Sequence, residues 1–209
     1  MPEPTDEELG PLWERLKNEV IAVHLQWQQF RALYASSASN IELLNRSAAG
    51  FFALLRQTLV RDVFLSIARL TDPVRMGKHT NLTLDHLLGL PGMADASQQR
   101  ERLTTLIANI QEHAAPIREH RHTYIAHLDL EKVVSPDARP LPGVSIEMVD
   151  ATLAAIADAM NTVALHLRET TIAFDDIIQN GDPRALLGRL RDAQRWRDHY
   201  FAAMKEGIG

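Results

Sequence analysis

Cysteine is absent from this chain of 209 residues. Without thiols the protein can form no disulfide, no zinc site with thiolate ligands, no iron–sulfur cluster and no thiol nucleophile. A glycine-rich phosphate loop and a Gly-x-Ser-x-Gly turn are also missing, which excludes the familiar nucleotide hydrolases and esterases that depend on them. A composition without cysteine fits a reducing cytoplasm, where we expect the protein to be located.

Long apolar runs and a strong charge of one sign are lacking as well. No stretch approaches the roughly 20 apolar residues of a membrane span, and residues 1–8 have no signal-peptide core, so we expect no membrane contact. The formal net charge is −5 at pH 7, whereas proteins that hold long nucleic acids use many basic residues to displace counterions. We therefore expect no DNA binding, and any contact with RNA should be local.

Glycine and proline are scarce, with 10 of each, and the segments between them are rich in good helix formers. The sequence predicts a single all-α domain over residues 1–209, a bundle of five or six helices with its core at about 10–180. Caps, breakers and apolar spacing place helices at about 6–34, 40–70, 83–90, 145–179 and 183–206, and a further one from about 96 that is kinked or broken at Pro116.

Some of these segments carry more specific expectations. The helix at 40–70 is apolar almost all round and should lie in the centre of the bundle. Residues 74–81 should form a loop. The proline-rich stretch 135–144 should be an irregular connector, with room for a short extended piece or a hairpin.

Histidines and paired carboxylates do not indicate a metal. His113, His120 and His127 recur every seven residues, which separates neighbours by about 10.5 Å along a helix axis, whereas zinc needs nitrogens about 2 Å from one point. Asp175 and Asp176 would point about 100° apart on a helix and would not share a face. We expect neither a metal nor a cofactor.

The last predicted helix combines basic residues with Asp192, Trp196 and Asp198. A solvated helix face with ion pairs four residues apart is the favoured interpretation. A local RNA-binding patch is the alternative. The arginines concerned are Arg184, Arg189, Arg191, Arg195 and Arg197.

One stretch hints at a reaction, the run from Arg121 to His127 with Asp129 shortly after it. A guanidinium group can bind a phosphate through two hydrogen bonds and stabilise the charge that grows on it. An imidazole with a pKa near 6.5 can take up or donate a proton at neutral pH. These two roles suffice for metal-independent cleavage of RNA with the 2′-hydroxyl as the nucleophile.

Spacing alone does not bring Arg121 and His127 together. Six helical residues span about 9 Å and turn through about 120°, so the long arginine side chain, a frayed helix end or a second subunit must close the gap. Arginine and histidine at such spacings would also recur about twice by chance in this composition. The motif therefore needs support from its context.

That context comes from longer phrases in the chain. Residues 61–73 read RDVFLSIARLTDP, residues 81–84 read NLTL, and residues 126–129 read AHLD. Together with Arg121-His122-x4-His127 in an all-helical chain, these phrases resemble the abortive-infection branch of the HEPN superfamily, over about residues 10–180.

The resemblance implies a homodimer in which two motif helices face each other across a cleft, often with ribonuclease activity in toxin or phage-defence systems that include an antitoxin or defence partner. Arg121 and His127 would be the catalytic pair, and His122 and Asp129 would support them. His122 stands where asparagine is commonest in the superfamily. The superfamily variant with a tyrosine two positions after the histidine is absent, because Asp129 stands there.

Four charged residues interrupt the apolar second helix: Arg61, Asp62, Arg69 and Asp72. Buried charges are costly unless they are paired. We expect these residues to stabilise the bundle through buried ion pairs, with a place in the cleft as the alternative.

Two other interpretations of the motif stay open. In a merely structural arrangement, Arg121 pairs with Glu112 or Glu119, and His127 and Asp129 cap the helix or pair with Arg118. In the other, the protein is a non-catalytic module that binds a nucleotide or a partner protein in the same cleft.

Overall fold

The computed structural model describes residues 6–93, 96–126 and 143–206. It confirms the predicted all-α helical bundle: the described residues contain five long helices and one small sheet. The helices are α1 (Asp6–Phe30), α2 (Ala38–Thr71), α3 (Ser97–His120), α4 (Ile146–Arg168) and α5 (Pro183–Glu206). Two π-helical segments, Arg31–Ala35 and Arg121–Ala126, directly follow α1 and α3.

Helix α1 follows the predicted apolar stripe. Gly10, with φ 74° and ψ 171°, breaks the helical path, and Pro11 comes next, as is common at the start of a helix. The predicted stripe is buried at Leu16, Val20, Val23, Trp27 and Phe30. At its two ends Leu12 and Tyr34 are only half-buried, and Trp13 is buried in place of Leu12.

Only the C-terminal half of helix α2 is buried as predicted. Val63, Phe64 and Ile67 are buried, and the helix ends at Thr71, just before Pro73. Phe51 and Leu54, however, are 62% and 63% exposed. The prediction that this helix lies centrally along its whole length is therefore wrong, because apolar composition does not say whether a neighbouring element covers each face.

The chain divides into two compact units. The first comprises the described residues of 1–25 and 61–177, and here α3 packs along α4. The side chains that α3 buries are Leu103, Ile107, Ile110, Ala114 and Ile117. Those that α4 buries include Val149, Leu153, Ile156, Met160 and Val163. The single domain over residues 1–209 stays a prediction.

The second unit comprises the described residues of 26–60 and 178–209. Its core contains Leu33, Leu43, Leu44, Phe52 and Leu187. Polar bonds support it: the Tyr34 hydroxyl donates to the Phe52 carbonyl at 2.9 Å, and Arg191 donates to Asn40 Oδ1 at 2.6 Å.

The segment after α2 is more regular than the predicted loop. Strand β1 (Arg75–Met76) pairs antiparallel with β2 (His79–Thr80), so that Arg75 lies opposite Thr80. Gly77, with φ 61°, lies in the turn between them. The short helix predicted after Thr83 is present as a 3-10 helix, Leu84–Gly89.

Helix α3 does not end at Pro116. It continues to His120 and passes into the π-helix at Arg121, so the break predicted at the proline does not occur. Arg118 Nη2 donates to the Gln111 carbonyl at 3.0 Å, in the turn that precedes the proline.

Helix α4 begins as predicted and ends earlier than predicted. Ser145 caps it by accepting from the Met148 amide at 3.3 Å, but the helix stops at Arg168 rather than near 179, because Glu169 adopts a left-handed conformation. Asn161 on α4 then bonds both the amide and the carbonyl of Ile172, at 2.8 and 3.0 Å. This pairing holds the segment after α4 in a non-helical conformation.

Helix α5 begins at the predicted cap. Asp182 Oδ1 accepts from the Ala185 amide at 3.0 Å, and Pro183 is the first helical residue. Gly181 has a positive φ of 76°, but it belongs to this turn and does not close α4. Of the predicted connector 135–144, residues 135–142 lie outside the described part of the chain, and the two that follow are irregular.

Among the described helices, α4 is long and apolar enough to cross a membrane, with a mean hydropathy of 1.3 over 18 residues. The expectation that no stretch has this length and composition is wrong. Half of that window is buried inside the structure. Length and composition of one helix are weak evidence, because core helices meet the same criterion.

Candidate functional site

Arg121 lies where α3 changes from α-helical to π-helical hydrogen bonding. It is the first residue of the π-helix Arg121–Ala126, and its amide still bonds the carbonyls of Ile117 and Arg118. Short π-helical turns are rare and occur frequently at functional sites. The change of helix type therefore singles out the segment that the sequence motif occupies.

The Arg121 guanidinium is held by Asp72, the residue between the end of α2 and Pro73. Arg121 Nη2 lies 2.7 Å from Asp72 Oδ1, and the two side chains are 23% and 11% exposed. A short, charge-assisted hydrogen bond in a partly buried place fixes the orientation of a guanidinium group. Neither Glu112 nor Glu119, the partners considered from the sequence, takes this role.

Arg118 adds a second guanidinium beside the first. Its Nη1 donates to the Thr71 carbonyl at 3.2 Å and to Gln111 Oε1 at 2.6 Å. Burial lowers the pKa of Arg118 and the nearby positive charge of Arg121 lowers it further, while the negative charge of Asp72 opposes both effects. Two cationic groups thus lie near one carboxylate, and Arg121 is the one that pairs with it.

The Arg121 guanidinium has hydrogen-bonding capacity beyond its bond to Asp72. The Nε atom of Arg121 is buried and has no hydrogen-bond acceptor within the described residues. Guanidinium groups that are oriented and incompletely neutralised are suited to binding an anion such as a phosphate.

The neighbouring histidines differ in their surroundings. His122 is exposed on the π-helix. His120 packs edge-on against Phe64, with ring centroids 5.2 Å apart, and burial lowers its pKa. Thr123, the next residue of the π-helix, is fully buried.

The other half of the predicted catalytic pair cannot be placed. His127 and Asp129 lie outside the described residues. The convergence of Arg121 and His127, within a subunit or between two, therefore stays a prediction.

The structure places Arg61, Asp62, Arg69 and Asp72 in different surroundings. Asp72 is buried and pairs with Arg121. Arg69 has a side chain that is 63% exposed, bonds Ser66 Oγ at 3.2 Å and lies 3.8 Å from Glu19. Arg61 is exposed, and Asp62 is half-buried. Asp72 thus contacts the first residue of the motif.

Sequence reasoning missed two residues of this cluster. Gln111 and the Thr71 carbonyl accept hydrogen bonds from Arg118, and neither residue belongs to a recognisable sequence motif. The spacing of seven residues between Gln111 and Arg118 was the available signal, since it places them on one helix face, two turns apart.

No group of three or more histidine, aspartate and glutamate side chains is positioned to hold a metal ion within the part of the chain that the structure describes.

The all-helical bundle with Arg121 and a polar neighbour on the motif segment agrees with the resemblance to the HEPN class, and the family match establishes that class. Within that class, residues 6–186 match the model of the AbiU2 family, and the chain belongs to this family. It is a HEPN module of the abortive-infection type. No curated protein and no solved structure matches the chain.

Proposed function

We propose that the protein is a metal-independent endoribonuclease of a toxin or phage-defence system. The observation that supports this most strongly is the 2.7 Å ion pair between Arg121 and Asp72 at the start of a π-helix. An arginine that is fixed in orientation, beside a second arginine, is preorganised to bind a phosphate before the reaction begins.

In the proposed reaction, His127 accepts the proton of a ribose 2′-hydroxyl. The 2′-oxygen bonds to the adjacent phosphorus, and the bond from phosphorus to the 5′-oxygen breaks. The leaving 5′-oxygen takes up a proton from an imidazolium, and Arg121 stabilises the charge on the phosphate oxygens. The products are a 2′,3′-cyclic phosphate and a 5′-hydroxyl.

A homodimer completes this proposal. Two copies of the motif at one cleft supply two histidines, so that one His127 acts as the base and the partner's His127 acts as the acid. The protein would act on cytoplasmic RNA and would be neutralised by an antitoxin or controlled by another defence partner.

The experiment is cleavage of a single-stranded RNA in EDTA by the wild type and by His127→Ala and Arg121→Ala. We expect the wild type to cut, and each variant to lose at least about 100-fold in rate, since each removes a group that acts in the transition state. His113→Ala is the matched control, because His113 is an exposed histidine of α3 without a proposed role.

Two results would contradict the proposal. One is intact RNA after incubation with freshly prepared wild type, and the other is equal cleavage by wild type and His127→Ala. Thermal melting of His127→Ala should match the wild type, which separates lost chemistry from lost folding. A strictly monomeric mass by light scattering would contradict the two-copy cleft.

The ion pair also supports a second function. An arginine that Asp72 holds in place can bind a nucleotide phosphate without a histidine to move a proton, so the same cluster would bind a nucleotide without cleaving RNA. In that case nucleotides would raise the melting temperature of the wild type and leave Arg121→Ala unchanged, with no RNA product in EDTA. A shift of the same size in both proteins would remove this alternative.

A further inference from the structure

The C-terminal half of α5 is exposed along its described residues. Every described side chain from Arg195 to Lys205 is exposed, on all sides of the helix. In the N-terminal half, by contrast, Leu187 is buried in the core of the second unit. Among the described residues, the core of the second unit therefore uses only the N-terminal half of α5.

Large apolar groups are concentrated on this exposed half. Trp196 is 68% exposed, Tyr200 48%, Phe201 55% and Met204 46%. Trp196 and Tyr200 are four residues apart and therefore lie on one helix face. Their rings are nearly parallel, with centroids 5.4 Å apart and an interplanar angle of 13°. Exposed aromatic clusters of this kind commonly mark binding sites.

The charge around these rings is positive. Helix α5 carries five arginines and one lysine against two aspartates and one glutamate, in a chain whose formal net charge is −5. Around the helix axis, Arg189 lies within about 20° of Trp196, and Arg195 and Arg197 flank that face at about 100° on either side. Arg195 is 80% exposed and is paired only loosely, at 3.7 Å, with Asp192.

This surface lies beyond the part of the chain that defines the family. The family match ends at residue 186, so it does not cover the ring pair or the arginines from Arg189 onward. Whatever they bind is a separate question from the chemistry at Arg121.

The positive charge of this surface indicates which kind of partner it binds. Two copies of α5 packed face to face would bring their arginines together, and like charges at an interface oppose association. A polyanion has the opposite charge. Exposed, parallel aromatic rings interleaved with arginines are the arrangement that binds single-stranded nucleic acid, because bases stack on the rings while phosphates contact the cations.

We propose that the C-terminal half of α5 binds single-stranded RNA, with bases stacked on Trp196 and Tyr200 and phosphates held by Arg189, Arg195 and Arg197. The site spans only a few nucleotides, which agrees with the acidic character of the whole chain. The proposal that this site recruits a substrate for cleavage rests on the proposed ribonuclease function. The proposal that it binds RNA does not.

Binding is measured with a fluorescein-labelled oligouridylate of 12 nucleotides, in EDTA and low salt, on the His127→Ala protein so that cleavage cannot interfere. Trp196→Ala should weaken binding by about 10- to 100-fold, the range found when a stacking ring is removed. Trp196→Phe should retain most of the affinity, because it keeps an aromatic face. Phe51→Ala is the matched control, since Phe51 is an equally exposed ring on α2.

Tryptophan fluorescence gives an independent readout. Of the three tryptophans, Trp13 and Trp27 are buried and Trp196 is exposed, so bound RNA should quench the emission of Trp196. That quenching should disappear in Trp196→Phe. Replacing Arg195 with Gln should lower the slope of log affinity against log salt by about one, because one phosphate contact is lost.

Several results would overturn the proposal. They are unchanged RNA affinity in Trp196→Ala, equal weakening in Phe51→Ala, or binding of polyglutamate in place of RNA. A dimer that becomes monomeric in Trp196→Ala without loss of RNA binding would assign the surface to a second copy. RNA that binds but is never cut by the wild type would contradict the ribonuclease and leave this site standing.

Discussion

Arg121 and Asp72 are 49 residues apart in the sequence, and their charged groups are 2.7 Å apart. The carboxylate removes rotational freedom from the guanidinium, which is what a phosphate-binding arginine needs before its ligand arrives. Because both side chains keep some contact with water, the pair should contribute less to stability than a fully buried one. Its main effect should be on orientation.

A double-mutant cycle measures the coupling energy between Arg121 and Asp72. Asp72→Asn should lower the free energy of unfolding by about 1–2 kcal/mol, since it leaves Arg118 and Arg121 without a counter-charge. Asp72→Asn combined with Arg121→Ala should cost less than the sum of the single changes, by about 1 kcal/mol. Urea denaturation checks both values, and strictly additive costs would show that the two groups do not interact.

His24 is a second residue whose surroundings have a measurable effect. It is buried beside Phe174, with ring centroids 5.6 Å apart. Burial lowers its pKa from 6.5 to about 4, against smaller opposite effects of the backbone at Leu153 and the charge of Asp175. The folded protein thus holds this imidazole neutral.

This gives a prediction for pH. Between pH 6.5 and about 4 the unfolded chain takes up a proton at His24 that the folded chain does not, so stability present above pH 6.5 is lost as the pH falls. The loss should approach roughly 3 kcal/mol from this group alone. His24→Gln should flatten the curve of unfolding free energy over this window, and parallel curves for the two proteins would rule out the assigned cause.

At the scale of elements, apolar spacing and caps were sufficient to predict most helix starts. Ser145 and Asp182 cap α4 and α5 with the bonds that their side chains predict. Helix ends were harder, because Glu169 ends α4 without a glycine, and the contact that holds the following segment comes from Asn161, on the preceding helix. No local pattern encodes such a contact.

The motif segment shows the same limit. The sequence indicated Arg121 and an irregularity close to it, and it placed that irregularity at Pro116. The change to π-helical bonding comes at Arg121 itself. Asp72 was recognised as a charge in need of a partner, but its pairing with Arg121 depends on how the end of α2 packs beside α3, which spacing within either helix cannot specify.

Gly92 tests the packing of α4 against the turn before α3. Its φ is 81°, and a Cβ atom there would lie 2.7 Å from Leu167 Cδ2. Gly92→Ala should therefore lower the free energy of unfolding by about 1–2 kcal/mol, through the left-handed backbone and the displaced leucine.

The matched control is Gly188→Ala on α5, where a Cβ would meet nothing within 4 Å. Because alanine is a better helix former than glycine, this change should raise stability by about 0.5–1 kcal/mol. Chemical denaturation of both variants checks the pair of values. Equal effects of the same sign would contradict the assigned conformations.

At the scale of the whole chain, exposed apolar side chains are distributed unevenly. Apart from Met76 and Leu165, every large hydrophobic side chain that is exposed among the described residues belongs to the second unit. The sequence showed these residues as apolar but could not show which of them are covered, since burial depends on the packing of distant segments. The second unit is therefore where we expect ligands or partners other than those of the Arg121 cluster.

The HEPN class and the abortive-infection branch were recognisable from the sequence, because the phrases at 61–73 and 81–84 are longer and more specific than one arginine and one histidine. Catalysis could not be recognised from these phrases, since it requires that Arg121 and His127 reach the same phosphate. The chemical form of the RNA ends reports on that requirement directly.

The decisive measurement is mass spectrometry of the ends produced from a defined single-stranded RNA in EDTA, with His127→Ala purified in parallel as the control for contaminating nucleases. The proposed mechanism predicts 2′,3′-cyclic phosphate and 5′-hydroxyl ends with the wild type, none with His127→Ala, and no cleavage of the same sequence carrying 2′-O-methyl groups. Intact RNA with the wild type, ends of another chemistry, or cleavage of the methylated strand would contradict it.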